Sequence, residues 1–415
     1  MSDRPAPFPS RLSNGRVLGS TAFIALPATI FSTPIVAPLL GIAAAAALIN
    51  RVVRERAWPK PPPVLLALLG SLFAYGALST IWAVDARLSL LLSAQLLGLF
   101  VAGLVFLDAA TRLTRDERDF FERAFVSGFL LGIVLLEFEI LSDAAIAEFF
   151  RSQDWVIRVI GPQRPILLTA YFNRATTLVG LFAGPAAAIV HRRFGWRAAL
   201  ILALAALLPV LGGHSETARL AFLLGSIAFA AARLAARHAA AAVGVLLALA
   251  ILTAPLLLRS QVVGWTPAIL TAPIKAPSLE HRIAIWDFVT GKIAERPFLG
   301  WGLNSSRVIP GGHEKIIKNA EILPLHPHDM ALQLWLELGA PGAMLGALMV
   351  LYVARAAGRL KERPTAQAFA LAAIMAAAVN GTAGYDLWHP WWISFLWLTA
   401  AFATAALEED GPPPG

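Results

Sequence analysis

VLGSTAFIALPATIFSTPIVAPLLGIAAAAALIN, from Val17 to Asn50, carries no charged residue from end to end. Such a stretch has no face to present to water, and the solvent it implies is a bilayer. One crossing takes roughly 20 apolar residues, so the segment is too long for a single helix and is expected to fold as two, turning at Ser32, Thr33 and Pro34. Further apolar runs follow near 62–83, 88–107, 124–141, 174–190, 197–213, 217–232, 239–257, 330–354, 365–384 and 388–406. Backbone polar groups inside a bilayer must be satisfied within the spanning segment, which selects helices. The expected fold is therefore an all-α polytopic membrane protein of about twelve transmembrane helices, with a large, partly helical loop on the far side.

The composition agrees. Of 415 residues, 58% are hydrophobic and 14% charged, and the mean hydropathy is +0.68. In a soluble protein the formal charge of +8 would suggest nucleic acid as a partner. Here the basic residues lie in short clusters between apolar runs, so the charge encodes topology and no nucleic acid partner is expected. No short apolar segment is followed by a small-residue cleavage site, so the first run is expected to remain as a membrane helix. The absence of cysteine excludes disulfides, thiolate metal sites and a cysteine nucleophile.

Arginine and lysine occupy alternate gaps: Arg51, Arg54, Arg56 and Lys60; Arg112, Arg115, Arg118 and Arg123; Arg192, Arg193 and Arg197; Arg233 and Arg237; Arg355, Arg359, Lys361 and Arg363. The positive-inside rule assigns these gaps to the cytoplasm. The expected order is a cytoplasmic tail over 1–16, nine spans over 17–257, a large periplasmic loop over 258–329, three spans over 330–407 and a cytoplasmic tail over 408–415. A second outer loop is expected at 142–173.

The chemistry concentrates in the late loop. Residues Ser278 to Glu295 have helical periodicity, with Ile283, Trp286, Val289 and Ile293 on one stripe and Pro297 as the stop. Arg282 stands one turn before Trp286 and can share its side; an interfacial arginine extended toward headgroups is the plainer reading. Pro297-Phe-Leu-Gly-Trp-Gly-Leu-Asn304 reads as a tight turn that needs the freedom of Gly300 and Gly302. His326-Pro-His328-Asp329 then leads into an apolar helix that Asp329 is placed to cap. His328 thereby falls at the positive end of a helix, where a phosphate is favoured and an imidazolium is not. A neutral imidazole there can accept a proton.

His-x-His with Asp is also a partial metal set, but no third ligand follows at a recognisable spacing, and no metal is expected. Gln333 and Glu337 continue the stripe of Asp329 into the membrane. Other polar groups fall at the same outer ends of spans: Glu137 and Glu139; Asn173 and Arg174; His214, Ser215 and Arg219; Tyr385, Asp386 and His389. Several arginines on one face suit an anion, although each alone reads as an interface anchor.

These residues resemble the O-antigen ligase and O-antigen polymerase superfamily. The likeness rests on the Arg282-to-Gly302 segment, with its arginine, tryptophan and Pro-x-x-Gly-x-Gly run, and on His328-Asp329 followed nine residues later by Gly339-x-x-Gly342. The ligase motif has Asn, Ser or Gln where this chain has Asp329. The resemblance implies a GT-C-like glycosyltransferase architecture in a Gram-negative inner membrane, with the active site facing the periplasm and no cofactor. The donor it implies is an undecaprenyl-diphosphate-linked glycan, and the acceptor a lipid A-core sugar for a ligase or a second lipid-linked repeat unit for a polymerase. Carried over by motif, His328 is the base, Arg282 the loop arginine and Arg219 the second arginine, with Ser215-Glu216 where the family has Ser-Arg. Arg174, His326, Asp329, Asp386 and His389 complete the expected substrate-binding set. A transporter or flippase is the competing class; carriers place polar groups near the midplane of related halves, whereas these cluster at one face. A noncatalytic scaffold would leave His328 and the arginines without a task.

Overall fold

The computed structural model describes residues 13–153, 171–270, 277–315 and 321–407. The tails and the middle of the 142–173 loop lie outside these residues. The described residues are helical, with a single isolated β-bridge between Lys315 and Glu321. In chain order the helices are α1 (Asn14–Phe31), α2 (Val36–Ile49), α3 (Pro63–Leu78), α4 (Ala86–Ala110), α5 (Arg115–Leu141), α6 (Ala145–Arg151), α7 (Asn173–Gly212), α8 (Glu216–Leu234), α9 (Ala236–Leu270), α10 (Pro277–Glu295), α11 (Met330–Gly358), α12 (Pro364–Ala383) and α13 (Pro390–Leu407). Among the described residues ten helical segments are long and apolar enough to cross a membrane.

Every apolar run read from the sequence falls on a helix, and the Val17-to-Asn50 segment turns where expected: α1 ends at Phe31 and Ser32 leaves the helical region at φ −155°. Runs 174–190 and 197–213 lie on either side of a break within α7 at Gly195 (φ 80°, ψ −178°). The chain is thus an all-α, multi-pass membrane protein. Two details differ from expectation. Helix α9 continues to Leu270, beyond its apolar run. Helix α11 is broken at Gly339 (φ 61°, ψ −158°), where the sequence predicts one span over 330–354.

The chain divides into two compact units, residues 1–61 with 101–219 and 394–415, and residues 62–100 with 220–393. In the first, α1 lies close along α5 because small residues let the backbones approach: a Cβ on Gly128 would stand 2.3 Å from the backbone of Phe23. This is the usual device of membrane helix pairs. Phe121, Phe125, Phe182 and Phe402 form an aromatic core with centroid separations of 5.2–5.8 Å. Three of the basic gaps are joined by ion pairs: Glu55 holds Arg51 and Arg112, Glu122 holds Arg192 and Arg193, and Asp119 holds Arg193.

In the second unit α9 and α11 are the central pair. Of the stripe expected on α10, Val289 and Ile293 pack in a core with Ile285, Trp301, Ile309, Leu332 and Leu336, Trp286 packs partly buried against it, and Ile283 is buried. Trp335 donates its indole N–H to the Ile251 carbonyl at 2.9 Å, tying α11 to α9.

Candidate active site

Asp329 caps α11 as its position suggested, with Oδ1 accepting from the Leu332 amide at 2.8 Å. This carboxyl is 7% exposed, and burial pushes it up to about 6 despite the amides of Leu332 and Ala331. The anion held by this helix end is Asp329 itself, so the end is not an open phosphate cradle.

His328, immediately before the cap, has φ 56°, a left-handed conformation that non-glycine residues adopt at a cost of roughly 1–3 kcal/mol unless neighbours impose it. Two neighbours impose it. The His328 amide donates to Nδ1 of His326 at 3.1 Å, so His326 shapes the turn. Trp286 on α10 donates its indole N–H to the Pro327 carbonyl at 3.1 Å. The His326 and His328 rings are 4.2 Å apart.

The tautomer of His328 follows from its ring partner. Nδ1 lies 3.2 Å from the Gly384 carbonyl, an oxygen that can only accept. Nδ1 therefore carries the proton in the neutral ring, and Nε2 presents the lone pair. Burial lowers the affinity of His328 for a second proton, as do the nearby positive charges of Arg282 and of His281 when protonated; the Gly384 bond and Asp386 act the other way. His326 is pushed down further, to about 3, by burial first and by His328 next.

Arg282 is half-buried on α10 and makes no hydrogen bond or ion pair with the described residues. Burial lowers its pKa, but a guanidinium remains charged across the physiological range. A partly desolvated cation without a carboxylate partner, acting electrostatically on a neutral imidazole, is suited to an incoming anion.

Behind this pair lies a polar network that sequence reading reached in part. Asp386, 5% exposed, accepts from Arg307 at 2.8 Å, from Gln333 at 2.8 Å and from the Trp388 amide at 3.0 Å. Its oxygens are thus engaged within the protein. Arg307 also donates to the Asn304 side chain at 3.0 Å; sequence reading passed it over because no periodicity or motif marks it. His389 immediately precedes α13, its ring 5.2 Å from that of Trp391.

The two glycine motifs meet. The break at Gly339 frees two α11 carbonyls and one α11 amide, which the turn satisfies: the Trp301 amide donates to the Leu336 carbonyl at 2.9 Å, the Gly302 amide to the Glu337 carbonyl at 2.8 Å, and the Ala340 amide to the Pro297 carbonyl at 2.9 Å. A Cβ on Gly339 would lie 2.3 Å from the Phe298 oxygen, and one on Gly300 2.5 Å from the Glu337 oxygen. Both contacts are shorter than Cβ atoms adopt, so Gly300 and Gly339 are required by this close approach as well as by positive φ.

The remaining candidates belong to the first unit. Arg219 donates to the Leu211 and Gly213 carbonyls at 2.7 Å each and to Glu216 at 2.9 Å, capping the end of α7. Arg174 is exposed in the first turn of α7. Glu139 is fully buried and caps α6 through the Ile146 and Ala147 amides. No group of three or more metal-ligating residues assembles among the described residues.

Residues 198–347 match the O-antigen ligase family. Proteins of Rickettsia conorii and Rickettsia prowazekii that carry the name "Putative polysaccharide ligase" are 40% and 35% identical over 122 and 127 residues. These stretches cover 28% and 29% of this chain and 29% and 31% of the relatives. The chain thus spans less than a third of the length of the relatives it matches. The stretch that matches the O-antigen ligase family contains Arg282, both glycine motifs and His328.

Proposed function

We propose that this protein is an O-antigen ligase, transferring a glycan from undecaprenyl diphosphate to a sugar hydroxyl of the lipid A core at the periplasmic face of a Gram-negative inner membrane. The observation that carries the reading is the geometry of His328: Nδ1 lies 3.2 Å from the Gly384 carbonyl, which leaves Nε2 as the candidate base, and burial and the charge of Arg282 both lower its affinity for a second proton. In this mechanism Nε2 takes the proton of the acceptor hydroxyl as its oxygen attacks the anomeric carbon. The bond from that carbon to the diphosphate oxygen breaks, and Arg282 stabilises the departing diphosphate. His326, Asp329, Asp386 and His389 shape the surroundings. One direct displacement inverts the anomeric centre. The diphosphate bond supplies the driving force, so neither nucleotide nor metal is used.

The test is transfer by purified protein in detergent, from undecaprenyl-diphosphate glycan to lipid A-core, without nucleotide or divalent metal. Wild type should form the product and His328→Ala should not. Lengthening of the glycan on its lipid carrier instead would assign a polymerase. No transfer to either acceptor would overturn the glycosyltransferase reading.

A further inference from the structure

Glu337 is fully buried at 0% exposure, within a membrane-spanning helix. Burying a carboxylate is costly, and an acid at this depth calls for a task. Its partners are all neutral. Oε1 accepts from the Ser306 hydroxyl and from Gln333 at 3.2 Å; Oε2 accepts from the Asn304 amide and the Trp388 indole, each at 2.7 Å. An apolar residue could fill the same space at lower cost. What a carboxylate alone provides is two oxygens that accept along four directions; a glutamine would turn an NH2 group toward two of these donors.

The donors come from three separate segments. Asn304 and Ser306 follow the glycine turn, Gln333 lies on α11, and Trp388 lies in the turn after α12. That last turn is held again by the Leu387 amide donating to Gln333 Oε1 at 2.9 Å, and by Asp386, which accepts from Gln333. Two residues before Asp386 is Gly384, whose carbonyl receives the Nδ1 proton of His328. We propose that Glu337 is a positioning residue: by clamping the Trp388 turn against α11 and the glycine turn, it holds the Gly384 carbonyl where it fixes the tautomer and orientation of His328.

The role rests on the ligase reading for its effect on turnover, but not for its effect on the ring. Without the clamp the Gly384 carbonyl shifts, and the ring populates the Nε2–H tautomer, which has no lone pair for the acceptor proton. Arg282 stands on α10, which is anchored by its buried stripe and by Trp286, not by Glu337. Chemistry should therefore suffer while donor binding does not.

The experiment compares the full-length wild type with Glu337→Gln and Trp388→Phe in detergent, by transfer kinetics and by NMR of 15N-labelled histidine. The His328 signal is identified by its loss in His328→Ala. In wild type it should report a neutral ring protonated at Nδ1. In Glu337→Gln it should become a mixture of tautomers, with kcat lowered about 10²-fold, the scale of a small misplacement of a reacting group, and donor KM unchanged. Trp388→Phe removes one donor and should show the same signature more weakly, and it decides the matter if Glu337→Gln does not fold. An unchanged His328 tautomer in the folded variants overturns the proposal, as does a loss expressed in donor KM. If wild type transfers no glycan, the ligase reading fails by itself, and the tautomer comparison still decides the positioning role.

Discussion

His328 gathers the chemistry because three local facts coincide on it: a left-handed backbone, a carbonyl at Nδ1 and a cation nearby. Its affinity for a second proton is depressed below the ordinary value of 6.5, so under the proposed mechanism a base here is in its active form at and above that pH. Transfer should be level above about pH 6.5 and fall on the acid side as His328 becomes protonated. Asp329 titrates near 6, so Asp329→Asn serves as a control; an acid limb that disappears in this variant belongs to the carboxyl rather than to the imidazole. Removing the charge of Arg282 should raise the His328 pKa. The residual activity of Arg282→Gln should therefore show its acid limb at higher pH than wild type, and a limb that stays in place would separate the two residues. Arg282→Lys retains the charge but loses the planar fork that grips a diphosphate. We expect it to lower kcat/KM about 10²-fold, and near-wild-type kinetics would reduce Arg282 to an interface anchor.

Among the elements, the broken helix α11 and the turn of Pro297 to Asn304 form one construction. The break exposes carbonyls at membrane depth, where an unsatisfied polar group is costly, and the turn supplies the missing amides. Gly339→Ala places a Cβ at 2.3 Å from the Phe298 oxygen and in positive φ. Strain of this kind costs about 1–3 kcal/mol, and the clash adds to it, so thermal unfolding in detergent should occur at clearly lower temperature than in wild type. An unchanged unfolding temperature would mean that the turn and helix separate easily. Each glycine motif was legible along the chain, as was the buried stripe of α10, because both are local patterns. That the turn caps the helix break could not be read, since spacing along the sequence carries no record of which amides a distant carbonyl meets. Arg307 escaped notice for the same reason: its meaning lies in Asp386, far along the chain.

At the scale of the whole molecule, alternating basic gaps predict which loops share a side. Three of those gaps are held by ion pairs within the first unit, as residues at one membrane face can be. The chain lacks cysteine, so single cysteines can test orientation directly. His313 and Lys361 are both exposed. An impermeant maleimide applied from the periplasmic side should label His313→Cys and spare Lys361→Cys; the reverse pattern would invert the topology and remove the periplasmic reaction.

The sequence by itself determined the bilayer as solvent, the helices that cross it and the Asp329 cap that begins α11, because hydropathy, charge alternation and N-capping act over a few neighbouring residues. Only the tertiary structure decided that the glycine motifs interlock, that Asp329 fills its own helix end, and that Glu337 and Gly384 stand behind the His328 ring. These depend on where separate segments meet in space, and a buried hydrogen bond acquires its strength and its direction only when folding has excluded water and brought donor to acceptor.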